Sequence, residues 1–176
     1  GITAAGLQIL GSGTVRLDSA TNDVTTLAAN HTGSISYTDT NSLTVASVTD
    51  SAMGMSVSPR GMTSICFDVK LSTGGALAIE QAVTLGAGDL TLNATGDVSQ
   101  TATGGITAAG LQILGSGTVR LDSATNDVTT LAANHTGSIS YTDANSLTVG
   151  SVTDTAMAMS VSTSGMTSHG FDVKLS

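Results

Sequence analysis

Apolar and polar residues alternate along most of the chain in short runs with a period of two. In the run 15–17 Val and Leu enclose Arg, and in the run 90–92 two Leu residues enclose Thr. Such runs, rich in Val and Thr, predict half-buried β-strands. No stretch keeps a long 3.6-residue period, so no helix is predicted. The predicted strands cover 15–17, 35–37, 43–45, 53–57, 67–71, 77–79, 83–85 and 90–92.

Short polar segments separate these predicted strands. They are rich in Gly, Asn, Asp and Ser, which supply positive φ or hydrogen bonds from the side chain to the nearby backbone. We therefore predict turns at 11–13, 20–23, 30–33, 72–75, 86–89 and 94–97.

The sequence also repeats itself over a longer distance. Residues 1–72 and 105–176 align with eight differences, which gives a period of 104 residues. Seven of the differences fall within 46–66, and we predict a surface loop over 50–66 because loops tolerate change better than stacked strands. The prediction is one continuous structure, with a complete copy over 1–104 and a partial copy over 105–176. We expect it to be a segment of a longer array.

The spacing of the strands predicts the architecture. A small residue followed by an alternating run recurs at 13, 33, 66, 88 and 117, at intervals of 20, 33, 22 and 29 residues. Coils of about 20 to 30 residues are typical of solenoids, in which each coil covers the apolar side of the next. We predict an all-β fold, a right-handed parallel β-helix (β-solenoid) with about four to five coils per repeat. The two long intervals are expected to hold loops or an extra strand.

An antiparallel β-sandwich is the main structural alternative. Sandwiches commonly contain Asn-Gly or Asp-Gly hairpins and more aromatic residues. Neither dipeptide occurs in this chain, which favours the solenoid.

Composition supports a narrow core and excludes several classes of partner. Aromatic residues make up 2% of the chain and charged residues 10%, while apolar residues reach 40%. Val, Leu, Ile and Ala fill a thin core layer by layer. The net charge is −8 and the five cationic residues are scattered, so binding to nucleic acid or to an anionic membrane is not expected. No apolar run is long enough to insert into a bilayer.

Two runs of the chain, 88–114 and 117–152, resemble the repeats of filamentous-haemagglutinin-like bacterial exoproteins and autotransporter-type adhesins. The resemblance extends over essentially the whole chain. It implies a right-handed parallel β-helix, export across the outer membrane, and a place in a long surface fibre that serves adhesion or cell–cell contact. It transfers no catalytic residue.

The residues that could carry chemistry are few. His31 and His135 occupy the same Asn-His-Thr-Gly segment of the two copies, where we expect solvated turns, and His169 lies at a variable position. The single cysteine, Cys66, is replaced by Gly170 in the second copy, so we expect a tolerated small residue and no disulfide. No calcium-binding loop is recognisable, and we predict neither a metal nor a cofactor.

Carboxylates are more numerous, and paired carboxylates can cleave polysaccharides on a β-helix. Such sites also need aromatic or cationic residues to hold sugar, and duplication of the whole repeat would copy the site; we therefore predict no catalytic residue. The carboxylates considered are Asp18, Asp23, Asp39, Asp50, Asp68, Glu80, Asp89 and Asp97, and the aromatic residues are Tyr37, Tyr141, Phe67 and Phe171.

Asn30, Asn93 and Asn134 lie in Asn-x-Thr sequons. Such sequons can be glycosylated in exported proteins. We favour a role for these side chains in turns or stacked ladders.

These observations predict a non-enzymatic, extracellular or cell-surface protein. The expected function is that of a stalk or spacer in an adhesin-like bacterial fibre, with adjacent repeats as partners and an unidentified surface receptor or glycan beyond it. Lateral self-association into fibres is a further expectation, centred on loop 50–66 with Met53 and Met55. The alternatives are an ice-binding or other face-binding solenoid, or a subunit of an extracellular filament.

Overall fold

The protein is a β-solenoid of about seven turns. The computed structural model describes residues 1–50, 60–156 and 161–176, and within them there is no helix. Eighteen of the strands within these ranges form one parallel sheet, and two form a separate antiparallel hairpin. The strands are β1 (Thr3–Ser12), β2 (Val15–Leu17), β3 (Asp23–Thr32), β4 (Ile35–Asp39), β5 (Leu43–Val45), β6 (Met62–Thr63), β7 (Val69–Thr73), β8 (Leu77–Ile79), β9 (Val83–Thr84), β10 (Asp89–Ala94), β11 (Val98–Gln100), β12 (Ile106–Ser116), β13 (Val119–Leu121), β14 (Asp127–Thr136), β15 (Ile139–Tyr141), β16 (Thr148–Val149), β17 (Ser151–Asp154), β18 (Val161–Ser164), β19 (Met166–Thr167) and β20 (Val173–Leu175).

Each coil has three faces. We number them 1, 2 and 3 after the strands β8, β9 and β10, which belong to one coil. Face 1 contains β8, which pairs with β5 below and β11 above. Face 2 contains β9, which pairs with β6 and β12, and face 3 contains β10, which pairs with β7 and β12. Leu77 lies opposite Val98 and Leu90 opposite Leu111, a step of 21 residues per coil.

The core is a set of apolar columns that run along the solenoid axis. The inward residues of face 1 are stacked in register, and each is at most 1% exposed: Leu43, Leu77, Val98, Val119 and Ile139. The predicted alternation is confirmed in five runs, in which the first and last residues are buried: 35–37, 43–45, 77–79, 83–85 and 90–92. Phe67 was expected to point inward, and this is wrong: it is 42% exposed, because it lies in the turn before β7 starts.

One coil in each copy contains an excursion from the sheet. Leu27 pairs with Val45, whereas Ala29 pairs with Met62, so the chain leaves the ladder after Val45 and rejoins it at Met62, at neighbouring positions of β3. The second copy has the same excursion between β16 and β19, and there it contains the β17–β18 hairpin. Of the loop predicted over 50–66, residues 51–59 lie outside the described residues. At Met62 and Thr63 the prediction is wrong, because these residues form β6 in the parallel ladder, whereas 65–66 do lie in a turn. The predicted strand 53–57, with Met53 and Met55, lies outside the described residues.

The second copy is turned about the solenoid axis relative to the first. β2 lies on face 3, in the ladder of β4, β7 and β10. Its counterpart β13 lies on face 1, in the ladder of β8 and β11. One repeat therefore makes four coils and about one further face, in agreement with the predicted four to five coils. The long interval between 88 and 117 is explained in the same way, since it holds one coil and an extra strand.

Buried asparagines close one corner of the solenoid. Asn126 is fully buried, and its Nδ2 donates to the carbonyl oxygens of Leu121 and Thr142, each at 3.0 Å. Its Oδ1 accepts from the backbone N–H of Ile106 at 3.0 Å and from the Gln100 amide at 2.6 Å. These partners belong to adjacent coils, so one side chain ties the stack together along the axis. Asn22 makes the equivalent bonds in the first copy.

We expect Asn126→Ala to lower the free energy of unfolding by about 2–4 kcal/mol, because it removes several buried hydrogen bonds and leaves their backbone partners unsatisfied. Urea denaturation measures the change. The matched control is Asn145→Ala at an exposed position, which should change stability by less than about 0.5 kcal/mol. Equal effects of the two substitutions would contradict the role of the corner asparagine.

We also expect Cys66→Gly to stabilise the protein by about 1 kcal/mol. Cys66 has φ 67°, in the left-handed region, and its counterpart Gly170 has φ 90° in the same turn. Glycine adopts this backbone without the steric cost of a Cβ. Cys66→Ser retains the Cβ and should bring no gain, so a thermal melt in which both variants shift equally would argue against backbone strain.

Candidate functional site

The second-copy hairpin folds back onto the outside of the solenoid. We call its described part, residues 151–156 and 161–164, the clasp. From its origin beside β14 the clasp extends over β12 and β10 and reaches β7, so it spans four coils. Because β7 belongs to the first copy, the clasp joins the two copies outside the ladder.

An apolar contact anchors the middle of the clasp. Val152 is only 2% exposed although it lies outside the solenoid core. A Cβ added to Gly110 would lie 2.8 Å from Val152 Cγ1 and 2.6 Å from Asp89 Oδ1, which explains the glycine on the outer side of β12. Gly6 and Val48 repeat this close approach in the first copy. The contact is therefore a property of the repeat.

A buried polar contact lies beside it. The side chain of Gln112 is fully buried under the clasp, and its Nε2 donates to Thr163 Oγ1 at 2.7 Å. Its Oε1 accepts from Thr91 Oγ1 at 3.0 Å. Thr91 and Gln112, two outward residues of face 3, are thus buried and hydrogen-bonded, which fixes the hairpin laterally.

The end of the clasp meets the first copy through charged groups. Asp154 is 2% exposed and its Oδ2 lies 3.5 Å from Lys70 Nζ. Thr155 donates to Asp68 Oδ2 through its backbone N–H at 3.2 Å and through its hydroxyl. Asp68 Oδ1 in turn accepts from the N–H of Asp89 at 2.8 Å. Asp68 and Lys70 therefore form a seat for the end of the hairpin.

Electrostatics at this seat involve a third carboxylate. Burial, followed by the nearby charges of Asp68 and Asp154, raises the pKa of Asp89, while a hydrogen bond from Gly110 partly opposes the rise. Asp68 and Asp154 thus lie close enough to Asp89 to disfavour its negative charge, and the Lys70 ammonium group pairs with Asp154 at 3.5 Å. Within the described residues, no group of His, Cys, Asp and Glu has the arrangement of a metal site.

The histidines do not lie in solvated turns, and that prediction is wrong. His31 is 2% exposed and His135 is fully buried. Their Nε2 atoms donate to the carbonyl oxygens of Gly13 at 2.6 Å and Gly117 at 2.9 Å, in the coil below. The reason is that β3 and β14 continue through the Asn-His-Thr segment, which places the imidazole on an inward position. Both residues are structural links between coils.

The tyrosines are unavailable for stacking against a sugar. Tyr37 and Tyr141 are fully buried, and their hydroxyl groups donate to Asp39 and Asp143, each at 2.7 Å. Asp39 Oδ2 also accepts from the backbone N–H of Val24 at 2.9 Å. The tyrosine and carboxylate therefore fasten a corner of each copy. Phe67 and Phe171 are exposed at 42% and 51% and occupy equivalent turns.

The sequon asparagines lie on strands. Asn30 and Asn134 are exposed outward positions, and Asn93 is half-buried. Asn30 is in register with Thr63, and Asn134 with Thr167. This placement fits side chains stacked along the outer ladder, the role favoured from the sequence.

The outward rows of the solenoid are chemically mixed. On face 2, Thr63, Thr84 and Thr107 are in register in three successive coils, between Asn30 and Asp127. On face 1 the outward residues run from Thr to Ala, Ser, Arg and Ser, at 44, 78, 99, 120 and 140. The longest of these threonine rows therefore has three members.

No protein-family model, curated protein or solved structure matches this chain. In the described part of the chain, no helix is long and apolar enough to cross a membrane.

We predict that neither tyrosine ionises near its usual pKa of 10.0 while the protein is folded. Burial and then the hydrogen bond to Asp39 or Asp143 raise the pKa of each phenol far above that value. The unfolded chain releases these protons from about pH 10 upward, so the free energy of unfolding should fall above that pH. The ultraviolet absorbance of the phenolate follows the ionisation of the two tyrosines. Because we expect them to ionise only in the unfolded chain, the same signal also reports unfolding.

The control is the double variant Tyr37→Phe, Tyr141→Phe, which should lose this alkaline dependence. Gradual phenolate formation near pH 10 in a protein whose circular dichroism is still native would contradict the buried pairs.

Proposed function

We propose that the chain is a structural spacer of an exported, adhesin-like bacterial surface fibre, and that it acts without catalysis. The observation that carries the proposal is the continuity of the sheet across the copy boundary. β10 of the first copy pairs with β12 at the start of the second, and β11 pairs with β13. Each added copy therefore lengthens one solenoid, because no new domain begins at the boundary.

The dimensions of the coil support a spacer. Coils rise by about 4.8 Å, so a repeat of four coils and one further face adds about 21 Å of length. Continuous backbone hydrogen bonding along this axis favours an extended rod. Short polar side chains on the outer rows and a net charge of −8 suit exposure to water.

The bacterial and exported setting is supported by the resemblance of runs 88–114 and 117–152 to adhesin repeats. Within this proposal the partners are neighbouring repeats, and binding to a receptor or glycan belongs to other parts of a fibre. The described end of the clasp contacts its own solenoid, so it does not support a contact between fibres. Lateral association of fibres therefore stays a prediction.

Small-angle scattering tests the spacer directly. A chain extended by a second stretch of the sequence 73–176 continues the repeat in register, and we expect its maximum dimension to rise by about 21 Å, the length of one repeat, at an unchanged cross-section. Growth in the cross-section would contradict a single continuous rod.

A binding experiment separates the spacer from the alternatives. The 176-residue chain should show no saturable binding to epithelial or bacterial surfaces; saturable binding would assign recognition to the repeat itself. The row of Thr63, Thr84 and Thr107 is the feature that favours ice binding. We expect it to be too short for thermal hysteresis, and measurable hysteresis would replace the spacer by the ice-binding function.

A further inference from the structure

The chain contains a second seat of the kind that the clasp occupies. Residues 67–72 and 171–176 have the same sequence, so Asp172 and Lys174 are the counterparts of Asp68 and Lys70. Lys70 is covered by the clasp, with a side chain that is 26% exposed, whereas Asp172 and Lys174 are both exposed.

The second seat has the same local geometry as the first. The carbonyl oxygen of Asp68 accepts from the N–H of Ile35 at 3.1 Å, and that of Asp172 accepts from Ile139 at 3.0 Å. Lys70 pairs in the ladder with Ser36, and Lys174 pairs with Ser140. The backbone therefore presents the carboxylate and the ammonium group on the outside of both coils alike.

The complementary hairpin is encoded in every copy. Three clasp residues that are buried in the second copy, Val152, Asp154 and Ala156, are Val48, Asp50 and Ala52 in the first. Thr155 is Ser51 in the first copy, and serine retains the hydroxyl and the backbone N–H. The charge match is retained too, since a carboxylate at the position of Asp154 faces a lysine.

We propose that Asp172 and Lys174 form a docking surface for the hairpin of a further copy of this repeat, continued in the same ladder after Ser176. The occupant is fixed by internal precedent, because an identical seat holds the hairpin of the copy that follows it. The hairpin reaches back across the intervening coils, so each copy is fastened to its predecessor both by the ladder and by a clasp. The surface stands on this geometry and is independent of the proposed spacer role.

Lysine labelling tests the docking surface, because the chain has two lysines. In the 176-residue protein an amine-reactive ester followed by mass spectrometry should modify Lys174 about fivefold faster than Lys70, whose ammonium group is paired with Asp154. Asp154→Asn should accelerate labelling of Lys70 and leave Lys174 unchanged. This variant establishes that labelling reports the clasp.

The deciding comparison uses the chain extended by a second stretch of 73–176. Lys174 should then be labelled as slowly as Lys70, while the third lysine, in the new last coil, is labelled rapidly. The added coils alone could also slow the labelling of Lys174, because they reduce fraying of the coil that contains it. To separate the two effects, the counterpart of Asp154 in the third hairpin is replaced by Asn. That replacement should restore rapid labelling of Lys174 and leave Lys70 slow.

Two results would overturn the proposal. Rapid labelling of Lys174 in the extended chain would mean that the third hairpin does not reach the seat. Slow labelling of Lys174 that persists after the third-hairpin replacement would assign protection to the added coils. Scattering on the same extended chain tests the spacer separately. If the rod is longer but Lys174 is still labelled rapidly, the docking surface is contradicted and the spacer is not.

Discussion

Registered stacking of one coil on the next is the constraint on which the whole structure depends. A single coil cannot bury its apolar side or satisfy the backbone N–H and C=O groups that point along the solenoid axis, so its stability comes from the coils above and below. The side chains that cross between coils serve the same requirement: Asn126 binds backbone atoms of adjacent coils, and His135 binds a carbonyl of the coil below. Small aliphatic residues suffice for such a core, because each layer is narrow.

The clasp adds a second, longer-range connection to this nearest-neighbour scheme. In a simple stack, each coil is coupled only to its neighbours, and the array can open locally at any junction. The hairpin crosses four coils and ends on a charged seat in the preceding copy, so opening one of those junctions also disturbs the hairpin. Cooperativity along the rod is thereby extended beyond adjacent coils.

The fold was predictable from sequence where alternation is regular and a repeat is visible. Runs such as 77–79 and 90–92 have one inward residue at each end, and the structure buries both. The long strands β1 and β12 were not predicted, because their Ala and Gly residues turn a corner and interrupt the period of two. The rotation of the second copy about the solenoid axis was not predicted either. The spacing of strands in the sequence does not distinguish one long coil from a coil followed by one extra face.

The site was harder to predict than the fold. Variation between copies located the excursion, but its role depends on contacts between residues far apart in sequence, such as Thr155 with Asp68. The close approach of Gly110 to Val152 was not predictable either, because no strand was predicted around Gly110. The buried histidines were misjudged because the polar Asn-His-Thr-Gly segment resembles a turn, whereas the strand continues through it.

The fractional number of coils per repeat has a consequence for how such a gene changes length. Loss or gain of one copy by recombination between the nearly identical segments preserves the ladder, because the junction sequence is unchanged. It also rotates everything beyond the junction by about one face of the solenoid. A change in copy number therefore alters both the length of the solenoid and the direction in which each face beyond the junction points.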